Sequence, residues 1–318
     1  MTAPRLAAAM LCFAAALAAQ TPAPRAVDGR VMRGSARGRV PVPDRWVVLH
    51  RVGADSEGPI DSARTAADGS YRLRYRPFGA SDAVYFVATM YDGIAYLSSP
   101  LKAPRVTGLD AEIDVFDTTS TGIALHERGR HVLISSPRAG GVREVYEVYE
   151  LENGDLRTLV PGGANRPSWT APIVASATRF HAQQGEISPA AVVAADGKVD
   201  VFAPFAPGVK QLAFSYDLPP SAFPLALPPA RDTLVLEVLL EEPGASATGV
   251  GLRKVSDQMV EGRRFTRYLS PNAPPDARVR ILAPTSPATS TPLAVLGLVV
   301  VLAGMMAVGL YRGLRPDS

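Results

Sequence analysis

The sequence predicts an all-β ectodomain, built as tandem β-sandwiches and carried on one C-terminal transmembrane helix. Three observations predict it. Between residues 27 and 282 apolar and polar residues alternate over short runs, the period of strands that turn one face to a core. The chain holds 27 Gly and 29 Pro among 318 residues, above the roughly 12 % that the two supply in average usage, so turns are over-supplied and long helices disfavoured. The longest uncharged apolar run lies next to the C-terminus.

Residues 1–19 have the layout of a secretory signal peptide: Arg5, an apolar run over 6–18, and the small-residue triplet ALA at 16–18. The single cysteine, Cys12, lies inside that run and leaves with it. The mature chain is then free of disulfides, although the compartment it enters permits them.

Residues 27–117 form the first expected sandwich. Residues 71–75 (YRLRY) alternate cleanly, and Asp68-Gly69 and Asp92-Gly93 supply the residues that tolerate the positive φ of tight turns. Gly29 and Val31, then 39–42 (RVPV), 47–49 (VVL) and 65–73 (TAADGSYRL) follow in an order that resembles the carboxypeptidase regulatory-like, or transthyretin-like, domain. In that family a Thr-x-x-Asp-Gly-x-Tyr/Phe turn joins two strands of a seven-stranded sandwich. The chain departs from the pattern at 43–46 (PDRW), where a small Gly-Ala-x-Val step is usual. The resemblance implies a prealbumin-like fold related to carbohydrate-binding sandwiches, with no enzyme active site.

Residues 118–226 are expected to form an Ig-like sandwich and residues 227–283 a smaller β unit packed on it. Strands are expected at 142–151 (VREVYEVYEL), 198–202, 211–216 and 278–281, with turns at Asn153-Gly154 and Asp196-Gly197. Residues 234–240 (LVLEVLL) are nearly continuous in apolar character, as in a strand buried on both faces. Residues 218–229 read as a Pro-rich connector. The order of these segments resembles a class of bacterial envelope proteins with a regulatory-like N-terminal domain and a C-terminal membrane helix.

Residues 284–291 (PTSPATST) lack apolar anchors and read as an extended stalk. Residues 292–311 (PLAVLGLVVVLAGMMAVGLY) carry no charge and match the length of a membrane-spanning helix. Arg312 and Arg315 follow, which places the tail, residues 312–318, in the cytoplasm and the bulk of the chain outside it. The expected location is the bacterial cell envelope, as a single-pass membrane protein with a periplasmic or extracellular N-terminal part.

Candidate chemistry is sparse. A net charge of +3 shows no basic stretch of the kind that binds nucleic acid, and one Cys with four His leaves little for a metal cluster. His126 and His131 flank an expected hairpin tip, where Glu127 would complete a three-donor metal site; the alternative is two surface histidines on a basic turn. Asp110, Glu112 and Asp114 share one strand face, either as oxygen ligands for a cation or as a solvated face. Arg130, Arg138 and Arg143 cluster in sequence, either to meet an acidic glycan or headgroup or as solubilising surface. Tyr91, Tyr96 and Trp169 are the candidate sugar-stacking rings, with Trp169 alternatively plugging the end of a sandwich. There is no nucleophile elbow and no phosphate-binding glycine loop. No cofactor is implied. The expectation is a non-enzymatic, membrane-anchored envelope protein whose ectodomain binds a protein partner or scaffolds a complex, with carbohydrate binding as the alternative and metal-dependent catalysis behind both.

Overall fold

The computed structural model describes residues 22–228, 231–249, 251–275 and 277–284. The expected signal peptide, membrane helix and tail, and all of the expected stalk except Pro284, lie outside them. Among the described residues the fold is all-β: there are four short 3-10 turns, no α-helix, and no helix long and apolar enough to cross a membrane. The chain forms two compact units, one up to Arg33 and over Arg39–Val115, the other over Gly34–Gly38 and from Phe116 onward.

The first unit contains most of β1 (Arg25–Ser35) and β2 (Gly38–Pro41), together with β3 (Trp46–Val52), β4 (Glu57–Arg64), β5 (Ser70–Tyr75), β6 (Val84–Tyr91), β7 (Ile94–Leu97), β8 (Arg105–Thr107) and β9 (Ile113–Val115). One sheet runs β2-β1-β5, with β8 and β9 pairing in parallel along the other edge of β1, and the second runs β4-β3-β6-β7. Alternate residues of each sheet are buried, Val27, Val31 and Leu73 from one, Val47, Leu49 and Val87 from the other, as two sheets packed face to face require.

The segment between β4 and β5 shows why its residues are of these types. The Thr65 hydroxyl donates to the Val42 carbonyl at 2.7 Å and accepts the Arg45 N–H at 2.9 Å, so it ties the loop before β3 to the end of β4. Asp68 accepts the Ser70 N–H, and Gly69 sits at φ +74° where a Cβ would lie 2.6 Å from the Val31 carbonyl oxygen. The Tyr71 hydroxyl crosses the unit to donate to the Ala111 carbonyl at 2.6 Å. That crossing runs over Gly29, whose Cβ would stand 2.0 Å from the same oxygen.

The second unit contains β10 (Thr118–Thr119), β11 (His126–Ile134), β12 (Arg143–Asn153), β13 (Thr158–Leu159), β14 (Trp169–Pro172), β15 (Thr178–Ala182), β16 (Val192–Ala195), β17 (Lys198–Val201), β18 (Gly208–Leu218), β19 (Leu225–Leu227), β20 (Thr233–Leu240), β21 (Ser246–Gly249), β22 (Arg253–Lys254), β23 (Gln258–Val260), β24 (Arg263–Ala273) and β25 (Val279–Leu282). Its main sheet runs β15-β18-β12-β11-β20-β24-β22, with β23 on β24. The sheets β14-β17-β16 and β19-β25-β21 contribute Trp169, Val199, Val201, Leu225 and Ile281 to the core beneath one face of it.

The boundary expected between residues 226 and 227 falls inside this unit. β11 and β20, one from each side of that boundary, pair in parallel from Glu127↔Thr233 to Ile134↔Leu240, so a single sheet spans both segments. β20 feeds Leu236, Val238 and Leu240 to the main core and Leu239 to a smaller core on the opposite face. Asn153-Gly154 is not a tight hairpin turn: Asn153 is buried at the end of β12, and its amide donates to the carbonyls of Arg157 and Phe205. Asp92-Gly93 and Asp196-Gly197 both have two consecutive positive φ angles, the backbone of a type I′ turn.

Candidate functional site

The residues singled out from the sequence divide into buried groups and one exposed face. Residues 126–131 do not form a hairpin tip; they lie along the single strand β11. A bulge at Arg128, where the register against β12 shifts between Glu127 and Gly129, resets the alternation. Glu127 and Arg130 therefore face the main core while His131 faces the other side of the sheet, and His126 is exposed. Glu127 is thus on the opposite face of the sheet from His126 and His131, which stand opposite Glu152 and Val148 of β12, and among the described residues no group of three His, Cys, Asp or Glu side chains is placed to hold a metal.

The buried charged groups of β11 are engaged inside the unit. Arg130 donates twice to Glu147 Oε2, at 3.0 and 2.8 Å, and once to the Pro228 carbonyl at 3.0 Å. The hydroxyls of Tyr216 and Tyr149 donate to the same carboxylate at 2.7 and 2.9 Å. Burial opposes the charge on Arg130, but the Glu147 carboxylate outweighs it and raises the guanidinium's pKa; burial likewise pushes both phenols well up. Glu127 accepts the Thr233 hydroxyl at 3.2 Å and is pushed above the ordinary 4.5 by burial. On the opposite face His131 Nδ1 hydrogen-bonds Glu237 at 2.6 Å, and Glu237 also accepts from Arg267. Burial raises the Glu237 carboxyl, yet these two partners hold it below 4.5.

The other two arginines of the expected cluster are also engaged inside the unit, Arg143 with Glu242 at 2.7 Å and Arg138 with Asp217. Arg39 takes up Glu112 at 2.5 Å and Asp114 at 2.6 Å, so these carboxylates are committed to an arginine.

The aromatic candidates are rearranged. Trp169 is 3 % exposed, packed edge-on against Tyr149 at 5.0 Å within the core. Tyr96 is buried on the inner side of β7, and Tyr91, at the same parity of the hairpin, is half-buried under the Arg45 guanidinium at 5.5 Å. Neither ring stands on an open surface.

The open ring is Trp46, at the departure from the family pattern. It is 55 % exposed and opens the outer face of the β4-β3-β6-β7 sheet. Val48, His50 and Val52 of β3, Val84, Phe86, Ala88 and Met90 of β6, and Leu97 of β7 continue that face, with Met90 58 % and Leu97 59 % exposed. Inner positions of the same strands are largely apolar as well, Val47 and Leu49 in β3 and Tyr85 and Val87 in β6, with Arg51 and Thr89 as buried polar exceptions, so apolar side chains predominate on both faces. The Arg64 guanidinium lies 4.9 Å over the indole and is itself paired with Asp44, while His50 stacks on Phe86 at 5.4 Å. Trp46, Val48, His50, Arg64, Ala88 and Met90 are among the residues that line a shallow depression of about 550 Å³. The sequence signal for this face was the run of residues 46–52 (WVVLHRV), which lacks the polar outer parity of a strand with one solvated face.

No protein-family model and no curated protein matches the chain. Among solved structures, the chain is similar to a variant of BcpA, the major pilin subunit of Bacillus cereus, at 10 % identity over 85 % of this chain and 93 % of that one, with a TM-score of 0.20. It is also similar to the full-length RrgB pilus protein from Streptococcus pneumoniae, at 6 % identity over 84 % of this chain and 64 % of that one, with a TM-score of 0.16.

Proposed function

We propose that this chain is a non-enzymatic binding protein of the cell envelope, anchored by its C-terminal apolar segment, and that the outer face of the β3–β6 sheet receives a protein partner. The observation that carries the reading is the set of apolar side chains exposed together from Trp46 to Leu97 on one sheet face. Contiguous apolar surface of this kind marks interaction sites, and aromatic and Met side chains are the types enriched there. The signal peptide and membrane segment expected from the sequence support a location outside the cytoplasm.

The test is capture from a detergent extract of the envelope by the full chain and by a Met90→Glu/Leu97→Glu variant. A protein recovered reproducibly by the wild type and lost by the variant supports the reading; identical recoveries by both sink it. A second reading, polysaccharide binding, is favoured by the open Trp46 ring braced by Arg64. A glycan array on which binding disappears with Trp46→Ala would move the occupant of this face from protein to sugar.

A further inference from the structure

The opposite sheet of the first unit carries a second surface of different chemistry. β5 and the residue after it read SYRLRYR, so Tyr71, Leu73 and Tyr75 turn inward while Arg72, Arg74 and Arg76 project outward. Two residues per repeat place these arginines about 6.8 Å apart in a line. On the neighbouring strand Asp28 lies opposite Arg72 and Ala26 opposite Arg74. Across β1, Arg105 of β8 is also in register with Ala26, so Arg74 and Arg105 flank a methyl group.

The counter-charges are few. Asp28 pairs with Arg72 and, at 3.2 Å, with Arg105, and Asp68 stands 3.7 Å from Arg30. Arg76 donates to the Pro22 carbonyl at 3.1 Å. The Arg74 side chain is exposed and makes no ion pair or hydrogen bond among the described residues. Beside the line, Asp28, Arg30, Ser70 and Arg72 border a depression of about 630 Å³.

We infer that this face binds a linear polyanion of phosphodiester-linked repeats without bases, a polyol phosphate chain. Guanidinium groups donate to phosphate oxygens in planar, bidentate fashion, and a row of them along one strand matches an extended chain rather than an isolated ion. No aromatic ring stands among these arginines. A nucleic acid strand would find charge but no stacking platform, which is the second half of single-strand recognition. The surroundings of Arg74, a methyl group and further arginines, offer nothing to enter the apolar layer of a bilayer.

The experiment is a titration of the full chain, in neutral detergent, with poly(glycerol phosphate) at increasing salt. The expected result is binding whose logarithm falls with log salt at a slope of about −2, corresponding to roughly three phosphates neutralised on a single-stranded polyanion. Arg74→Gln should weaken binding several-fold and make that slope shallower by about one-third. Because Arg74 holds no partner in the fold, this variant should keep the wild-type unfolding midpoint, and Trp46→Ala should bind the polymer as the wild type does. Parallel arms use anionic phospholipid vesicles and oligothymidylate. The proposal is overturned if binding is absent or insensitive to salt, if Arg74→Gln binds unchanged, or if vesicles or oligothymidylate bind as tightly as the polymer.

Discussion

The outer face of the β4-β3-β6-β7 sheet and the main sheet of the second unit depart from the simple rule of apolar inside and polar outside in opposite directions. The first leaves Trp46, Met90 and Leu97 in solvent; the second buries Arg130, Glu147, Glu127, His131 and Glu237. The buried groups complete one another: Glu147 accepts from one guanidinium and two phenols, and Glu237 from His131 and Arg267. Internal satisfaction of that kind reads as architecture, because a charge withdrawn from water persists only where its partners are supplied by the fold. Nothing comparable answers the exposed apolar face, whose water is released only by a partner. A polar cluster inside and an apolar sheet outside therefore point to different roles, and of the two histidines that drew attention in the sequence His131 belongs to the first kind while His126 is exposed.

The largest expected effect breaks the buried network. Arg130→Met leaves the buried Glu147 carboxyl group without its guanidinium partner, with only the Tyr149 and Tyr216 hydroxyls to donate to it, and should lower stability by about 3–5 kcal/mol, measured by denaturant unfolding. The double variant Arg130→Met/Glu147→Leu should recover part of that loss, and no recovery would mean that the pair is not the unit of stability. In the first unit Gly29→Ala forces a Cβ against the Ala111 carbonyl oxygen and the Tyr71 ring. It should cost about 1–3 kcal/mol, and a thermal midpoint unchanged from wild type would refute that close approach.

Two carboxylates on opposite faces of one sheet sharpen the contrast through pH. Glu237 is held below 4.5, so its stabilising contribution is complete above that value and is lost as pH falls through its folded-state pKa. Glu237→Gln should be less stable than wild type at neutral pH, with the gap closing in acid. Glu127 is raised by burial, so its penalty is absent below 4.5 and grows as pH climbs past 4.5 until its folded-state value is passed. Glu127→Gln keeps an acceptor for the Thr233 hydroxyl and should match or exceed wild-type stability at neutral pH, converging with it in acid. Unfolding curves from pH 3 to 8 that move in the same direction for both variants would contradict this assignment. The smallest effect belongs to the exposed face: Trp46→Ala and Met90→Ser should shift stability by no more than about 0.5 kcal/mol while removing partner capture.

What the sequence determined by itself was local. Alternation in residues 71–75 and 198–201, and the Asp-Gly pairs at 92–93 and 196–197, specify strands and type I′ turns from backbone and side-chain preferences of a few neighbouring residues. The all-β class was legible for the same reason, as was the strand expected at 234–240, which is buried on both faces over 236–240 while Leu234 is exposed. Tertiary structure decided everything that depends on distant pairing. β11 meets β20 about a hundred residues later in sequence, which merges two expected domains into one sheet and delivers Glu237 to His131. A one-residue bulge at Arg128 sends Glu127 and His131 to opposite faces, a reversal that residue types do not reveal. An apolar residue at either parity of β3 looks alike in the sequence. Only the packed sheets show that Val47 and Leu49 are covered while Trp46 and Val48 look outward, since coverage is a property of the layer above a residue rather than of the residue.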